Sequence, residues 1–325
     1  AFRAVDRANP QPLEYREVPP PFRIAFLTLY PVDTASTRQR IHKNVRFFPA
    51  EVEATIHPGI TAASLRRLEA LGGGALARLV FLLEEVARKL AHLWHARRAD
   101  VIVVQKGLTV MNVRGLDLLL FALGRPVAFD LDDAVYLEPP QAFRLRALRP
   151  LLDPGQVTKL LRRADAVVAG NRFLASVANR ERQRRRPACV VVTPMDTDWY
   201  RVRAVSRSGP QVVGWSGSTT TNHYVDRLAP ALRLVAARFP DLEFRVISND
   251  DRGIHWERFE GVRTRFVPWR LDSLVEDLLA FDVGLMPLAE DEWSRSKCGG
   301  KILQYMACGI ATVASPVGIN AEVVE

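Results

Sequence analysis

The sequence predicts an α/β protein built from two doubly wound domains that face each other across a cleft. Three observations lead there. Short apolar segments with no alternation of faces recur between helical stretches, which is how strands buried on both sides of a parallel sheet read. The alternation runs twice, on either side of 194–210, a stretch with charge, Pro and Ser but no periodicity. And 325 residues supply enough side chains for two separate cores. The expected domains are 1–200 and 201–325.

In chain order, 1–21 is Pro-rich and polar and reads as an irregular lead-in. Arg23–Leu29 reads as a central strand, Tyr30–Thr37 as a loop and Arg38–Phe48 as a helix. Glu51–His57 alternates and reads as a second strand. Residues 63–98 have helical composition, broken at Gly72-Gly73-Gly74. Val101–Val104 reads as a buried strand, 112–123 as a helix, and Pro126–Asp130 as a strand ending in acids. A helix over 156–164, strand Ala166–Ala169, helix 172–184 and strand Val190–Val192 close the first series. The second runs strand Gln211–Trp215, helix 224–238, strands Leu242–Ile247 and 262–266, helix 271–280, strand Asp282–Met286, helix 300–308 and strand Ala311–Ala314, five strands in all. Within 75–98, Leu76, Leu79, Val80, Leu83, Val86, Leu90 and Trp94 share helical spacing amid several arginines. The expected meaning is a face turned into the core, the rival being a basic amphipathic helix on anionic lipid.

Composition narrows the function classes. The apolar fraction, 48%, is that of a globular domain, and no apolar run is long enough to span a bilayer. The start, Ala1-Phe2-Arg3, lacks both an initiator Met and an apolar leader, and reads as a trimmed start. Three cysteines, Cys189, Cys298 and Cys308, show no metal-ligand spacing. The expected setting is cytoplasmic, with peripheral contact on the inner face of the membrane as an option. The net charge of +9 is uneven: 1–200 holds 30 basic against 20 acidic residues, while 201–325 holds 15 against 16. A basic first half fits an anionic membrane surface or a phosphate-bearing acceptor. It also fits a merely solvated basic face. No nucleic-acid-binding motif accompanies the charge.

The richest stretch is Lys297-Cys-Gly-Gly-Lys301-Ile-Leu-Gln304-Tyr-Met-Ala-Cys-Gly309-Ile-Ala-Thr-Val-Ala-Ser315-Pro-Val-Gly318. It reads as a glycine loop with two lysines, a short helix, a Gly stop, a buried strand and a second turn. Unpaired amides and the positive dipole end of a helix favour an anion, and Lys297 and Lys301 add full charge, which suits a diphosphate. The order and spacing resemble the donor-binding segment of retaining glycosyltransferases of the GT-B fold, the group 1 or GT4-like family, where it runs roughly Lys-x-x-Glu-Tyr-Met-Ala-x-Gly-x-Pro-Val-Val-Ala-Ser-x-x-Gly. The resemblance covers 23–325. It implies two Rossmann-like domains, the second lacking the sixth strand and the returning helix usual in the family, which reads as a truncated chain, a disordered tail or an incomplete enzyme.

The resemblance also implies roles. The donor, a UDP-, GDP- or ADP-linked hexose, would meet Gly299, Gly300, Ile302 and Gln304, the turn Gly214, Ser216, Gly217 and Ser218, and Ser248 and Trp269 at the next strand ends. Gln304 stands where the family has a ribose-binding Glu, and the partner Glu eight positions earlier falls at Ser296, so Asp291 or Glu292 becomes a candidate for the sugar. On the acceptor side stand Ser36, Thr37 and Arg38, with Arg40 as a further clamp, then Lys106 and Asp133. Asp132 is the first choice for a carboxylate facing sugar or acceptor hydroxyls. Asp132, Lys297 and Lys301 form the expected catalytic set, with no resident cofactor and no metal, although the run Asp130-Leu-Asp132-Asp133 leaves a Mg²⁺ reading open. His42, His57 and His223 read as structural. The expected reaction moves a hexose to a hydroxyl of a glycan or lipid-linked acceptor. A non-catalytic sugar-nucleotide binder and a sugar-nucleotide epimerase are the rivals; a nicotinamide oxidoreductase is disfavoured because no Gly-x-Gly-x-x-Gly follows the first strand.

Overall fold

The computed structural model describes residues 21–324 except 62, 65–66, 68–73, 138–145, 184 and 204–208. Two all-parallel sheets organise them. The first has the order β2-β1-β3-β4-β5-β6, from β1 (Phe22–Thr28), β2 (Val52–Pro58), β3 (Val101–Gln105), β4 (Val127–Leu131), β5 (Ala166–Ala169) and β6 (Cys189–Val190). The second has the order β11-β10-β7-β8-β9, from β7 (Val212–Ser216), β8 (Glu243–Ser248), β9 (Arg263–Pro268), β10 (Val283–Met286) and β11 (Ala311–Ala314). The five strands expected of the second series are all present. Leu27, Ile102, Val104, Phe129 and Leu131 have no or almost no exposed surface, because helices cover both faces of the sheet.

Among the described residues the helices are α1 (35–45), α2 (Ala75–Ala96), α3 (Leu116–Ala122), α4 (Gln156–Arg163), α5 (Arg172–Arg182), α6 (Ala229–Arg238), α7 (Leu274–Leu279), α8 (Glu292–Arg295), α9 (Gly300–Ala307) and α10 (Ile319–Val324). Several differ from expectation for local reasons. α1 begins three residues early and widens into a π turn over Arg38–His42. α3 starts at Leu116 instead of 112, because Asn112 and Gly115 both take positive φ and break a helical path. The helix expected over 224–238 splits into a 3₁₀ segment, Thr219–Leu228, and α6, whose Pro230 lacks the N–H needed to continue a helix from before it. None of these helices is long and apolar enough to cross a membrane.

Two expectations are corrected. Most of the stripe on α2 does not face the core: Leu76, Leu83 and Trp94 are 72%, 59% and 62% exposed, Leu79 and Leu90 are exposed as well, and Val86 alone of the seven packs against the first core. The inward face is Ala77, Phe81, Leu82, Glu85, Lys89, Leu93 and Ala96. The stretch read as a linker is anchored over its described part. Tyr200 is buried in the second core against Val212, Ile247, Phe281 and Tyr305, while Asp196 accepts from Lys43 Nζ of α1 and from Arg46 Nη2 just after it, both at 2.7 Å. Residues 204–208 of that stretch, residues 1–20 of the lead-in and Gly72 and Gly73 lie outside the described residues.

Packing explains Gly214. A methyl group on its Cα would lie 2.3 Å from the ring of Phe281. Gly284 on the neighbouring strand is closed in the same way by Tyr305, whose hydroxyl accepts from Ser216 N at 2.9 Å. Gly214→Ala is therefore expected to destabilise the fold by about 1–3 kcal/mol through overpacking, read as a lower midpoint in urea melts, whereas Gly74→Ala, which meets no atom within 4 Å, leaves packing undisturbed.

Candidate functional site

Parallel strands put all their C-terminal ends on one edge, so the loops after β1, β3 and β4 converge there. Gln105 ends β3 opposite Asp130 of β4. Thr37 Oγ1 donates to Gln105 Oε1 at 3.0 Å, which ties α1 to the strand end. Arg40 grips Asp130 with two nitrogens, at 2.5 and 2.9 Å, and reaches Val191 O at 3.0 Å. Two residues on, Asp132 accepts a hydrogen bond from the Ser36 hydroxyl. Lys106 has φ +64°, a conformation rare for a residue with a side chain. Its N–H donates to Asp130 O at 3.0 Å, and its ammonium lies 3.6 Å from both Asp132 Oδ1 and Asp133 Oδ2.

The second sheet contributes the opposite wall. Asp291 caps α8 by accepting from Ser294 N at 2.7 Å. The loop that follows is held by the first domain. Asn171, which caps α5, donates from its amide to the carbonyls of Ser296 and Lys297 at 3.0 Å and of Arg295 at 3.3 Å. Cys298 Sγ lies 3.2 Å from Asp132 O and fills the space that Gly170 leaves by having no Cβ. Lys297 Nζ thereby reaches Asp133 Oδ1 at 2.8 Å. Gly299, at φ +67°, turns the chain into α9, and Lys301 in its first turn sets its ammonium 5.4 Å from the Trp215 ring centre. No carboxylate pairs with Lys301 among the described residues.

The electrostatics follow from burial and charge. Burial alone would lower the pKa of Lys106, but Asp132 and Asp133 outweigh it and hold the ammonium charged. Burial likewise opposes ionisation of Asp133, and Lys106 and Lys297 overcome it, so this carboxyl titrates below its usual range. Lys301 lacks such a partner. Burial, reinforced by Lys297 and only partly offset by Asp133, pushes it down to about 8. Burial and Asp132 push the Cys298 thiol upward, so it stays protonated and packs as an apolar group.

A second junction lies on Tyr200, whose hydroxyl accepts from Gln39 Nε2 at 2.9 Å and from Gln304 Nε2 at 2.8 Å. One tyrosine thus joins α1 to α9. The guanidinium of Arg38 lies 5.6 Å from the Trp199 ring and 6.0 Å from that of Trp269, and donates to Asp33 O at 2.5 Å.

Of the residues singled out from sequence, the structure gathers Ser36, Thr37, Lys106, Asp132, Asp133, Lys297 and Lys301 at one junction between the sheets, with Gly299 and Gly300 in the turn before Lys301, and Ser216, Gly217 and Ser218 following Trp215, whose ring faces the Lys301 ammonium. Ser296 borders the same junction: it is buried, donates to Trp293 O at 2.6 Å and lies 3.5 Å from Asp133 Oδ1. Others stand apart. Gly214 and Ile302 are core positions, the latter with Tyr224, Met286 and Val317. Ser248 is buried and donates to Asn222 Oδ1 at 2.8 Å. Arg38 and Trp269 meet each other, and Gln304 is engaged by Tyr200. Glu292 accepts from Tyr136 OH at 3.1 Å and, with Asp291, Phe173 and Arg180, lines an open groove of about 390 Å³ between α5 and α8. Asn171, Cys298 and Tyr200 escaped sequence reading, since nothing local marks a cap, a thiol or a tyrosine as an interdomain contact.

Comparisons with known proteins agree with this architecture. Residues 210–325 match the model of a family described as glycosyl transferases group 1. A search of the curated proteins finds no match. Among solved structures, Anabaena HepE in complex with UDP superposes with a TM-score of 0.60 at 16% identity, covering 94% of this chain and 83% of that one. HepE with UDP-glucose gives 0.58 at 17%, covering 93% and 83%. The lipopolysaccharide outer core galactosyltransferase WaaB in its apo form gives 0.51 at 12%, covering 94% and 84%.

The arrangement of charges makes a direct prediction. Asp133→Ala leaves two ammonium groups, Lys106 and Lys297, facing each other without their shared carboxylate. A loss of about 3 kcal/mol is expected from exposing that unpaired buried charge. Inorganic pyrophosphate, which can replace the carboxylate, is expected to raise the melting temperature of the variant more than that of the native protein.

Proposed function

We propose that the protein, whose residues 210–325 match the group 1 glycosyl transferase model and whose two-sheet fold superposes on HepE, moves a hexose from a UDP-sugar to an acceptor hydroxyl, with retention and without a catalytic metal. The observation that carries this reading is Lys301: a half-buried, unpaired ammonium in the first turn of α9, next to the Gly299–Gly300 loop and the Ser216–Ser218 turn. An ammonium without a counterion beside free helix amides is a place for an anion. The UDP in the HepE structures makes UDP the first nucleotide to test.

In this reading Lys297, Lys301 and the α9 amides stabilise the charge that grows on the diphosphate as the glycosidic bond breaks. Asp132 and Asp133, across the junction, face the sugar and the acceptor hydroxyl, and Lys106 pairs with both. Lys297 exchanges Asp133 for the diphosphate when donor enters. The acceptor is a glycan or a lipid-linked hydroxyl. Gln304 favours a second reading, a sugar-nucleotide binder without turnover, because its amide is already spent on Tyr200 and Ser296 is turned inward.

Melting curves with UDP, GDP, ADP and NAD test the donor site. One diphosphate is expected to raise the midpoint by mass action, and Lys301→Ala to abolish the rise; no rise with any diphosphate removes the donor reading. Release of UDP from UDP-sugars over an acceptor panel then separates transferase from binder, since the binder shifts the melt without turnover. Protonated Lys301 is the binding form and its pKa is about 8. UDP affinity is therefore expected to fall as pH rises through 8 toward 9, and to stay level over that range in Lys301→Arg, as titration calorimetry would show.

A further inference from the structure

We propose that the outer face of α2 is a docking surface for an anionic lipid bilayer. Helix α2 has two apolar faces, and only one is used inside the protein. Phe81, Leu82, Leu93 and Ala96 pack into the first core, and Ala77 is buried on the same side. Leu76, Leu79, Leu83, Leu90 and Trp94 point the other way and are 39–72% exposed. At 1.5 Å per residue the stripe from 76 to 94 runs about 27 Å along the helix. Continuous exposed apolar surface of this kind marks an interaction site.

The neighbouring helix extends it. α2 connects β2 to β3 and α3 connects β3 to β4, both steps moving the same way across a parallel sheet. Right-handed crossovers place the two helices on one side of that sheet. On α3, Leu118 is 60% and Leu119 48% exposed.

Charge selects the occupant. Trp94 carries the guanidinium of Arg97 3.4 Å from its ring centre. Arg98 follows, and Arg125 donates from Nε to the carbonyl of Arg97 at 3.0 Å. Arg97 thus covers one exposed indole at the C-terminal end of the stripe, with Arg98 next in the chain and Arg125 hydrogen-bonded to the backbone of Arg97. The two carboxylates of α2 do not cancel them: Glu84 is paired with Arg67, and Glu85 is buried with Val110 N as its donor at 2.8 Å. An apolar stripe ending in an aromatic ring and a cluster of cations matches the boundary between acyl chains and anionic headgroups.

The test is cosedimentation of the full chain with vesicles of phosphatidylcholine alone and of phosphatidylcholine with phosphatidylglycerol. Binding to the anionic vesicles only, weakening as salt rises, is expected. Leu83→Glu is expected to reduce it about tenfold or more, and Arg98→Gln on the order of fivefold. Both positions are exposed, so the urea midpoint of each variant should match the native one, which separates lost docking from lost folding. The proposal is overturned if native protein ignores anionic vesicles, if Leu83→Glu binds them equally well, or if sedimentation equilibrium shows a dimer that Leu83→Glu dissociates, the face then belonging to a second copy.

Discussion

Two neighbouring carboxylates at the end of a buried strand set the terms for everything around them. Asp132 and Asp133 emerge from β4 where water is scarce, and two negative charges on adjacent residues repel each other strongly in such surroundings. Neutralisation comes from two directions. Lys106, from the next strand, takes an unusual backbone conformation to reach both carboxylates. Lys297 arrives from the other sheet. The electrostatic balance of the first domain is therefore completed only by the second, and the placement of the two sheets and the charge state of the site are one problem.

The same dependence explains which parts of the fold were legible in the sequence. Strands buried on both faces announce themselves as uninterrupted apolar runs, and glycine and proline punctuate them, so both sheets could be read with their strands nearly in place. Helix ends were less legible, since Gly115 and Pro230 act through φ angles and missing donors that only the actual path of the chain exposes. α2 shows a deeper limit. Periodicity says which side chains share a face of a helix; it does not say which face turns inward when both are apolar. The inward face also carries Glu85 and Lys89, two residues that any reading by polarity would place in water.

At the site, charged residues beside glycines were visible because their chemistry is unusual at strand and helix ends. Gly214 shows what a glycine leaves open: it signals that something approaches closely, without saying whether it is a ligand or, as on its Cβ side here, the ring of Phe281. Tyr200, Cys298 and Asn171 were missed because their partners lie far off in sequence, at Gln39, Asp132 and the 295–297 carbonyls. No local pattern encodes a contact that exists only once two domains have met.

Asn171 has a consequence for how the halves of this protein can vary. A single side-chain amide from the cap of α5 fixes three successive carbonyls of the loop that carries Lys297. The conformation of that loop is thus written partly in the other half of the chain. A chimera that joined this second domain to a foreign first domain would inherit Lys297 but not the hand that holds it. Exchange of halves between relatives is therefore constrained at one asparagine, and pairs of domains that retain it, together with a glycine before it, are the ones between which grafting keeps the loop in register.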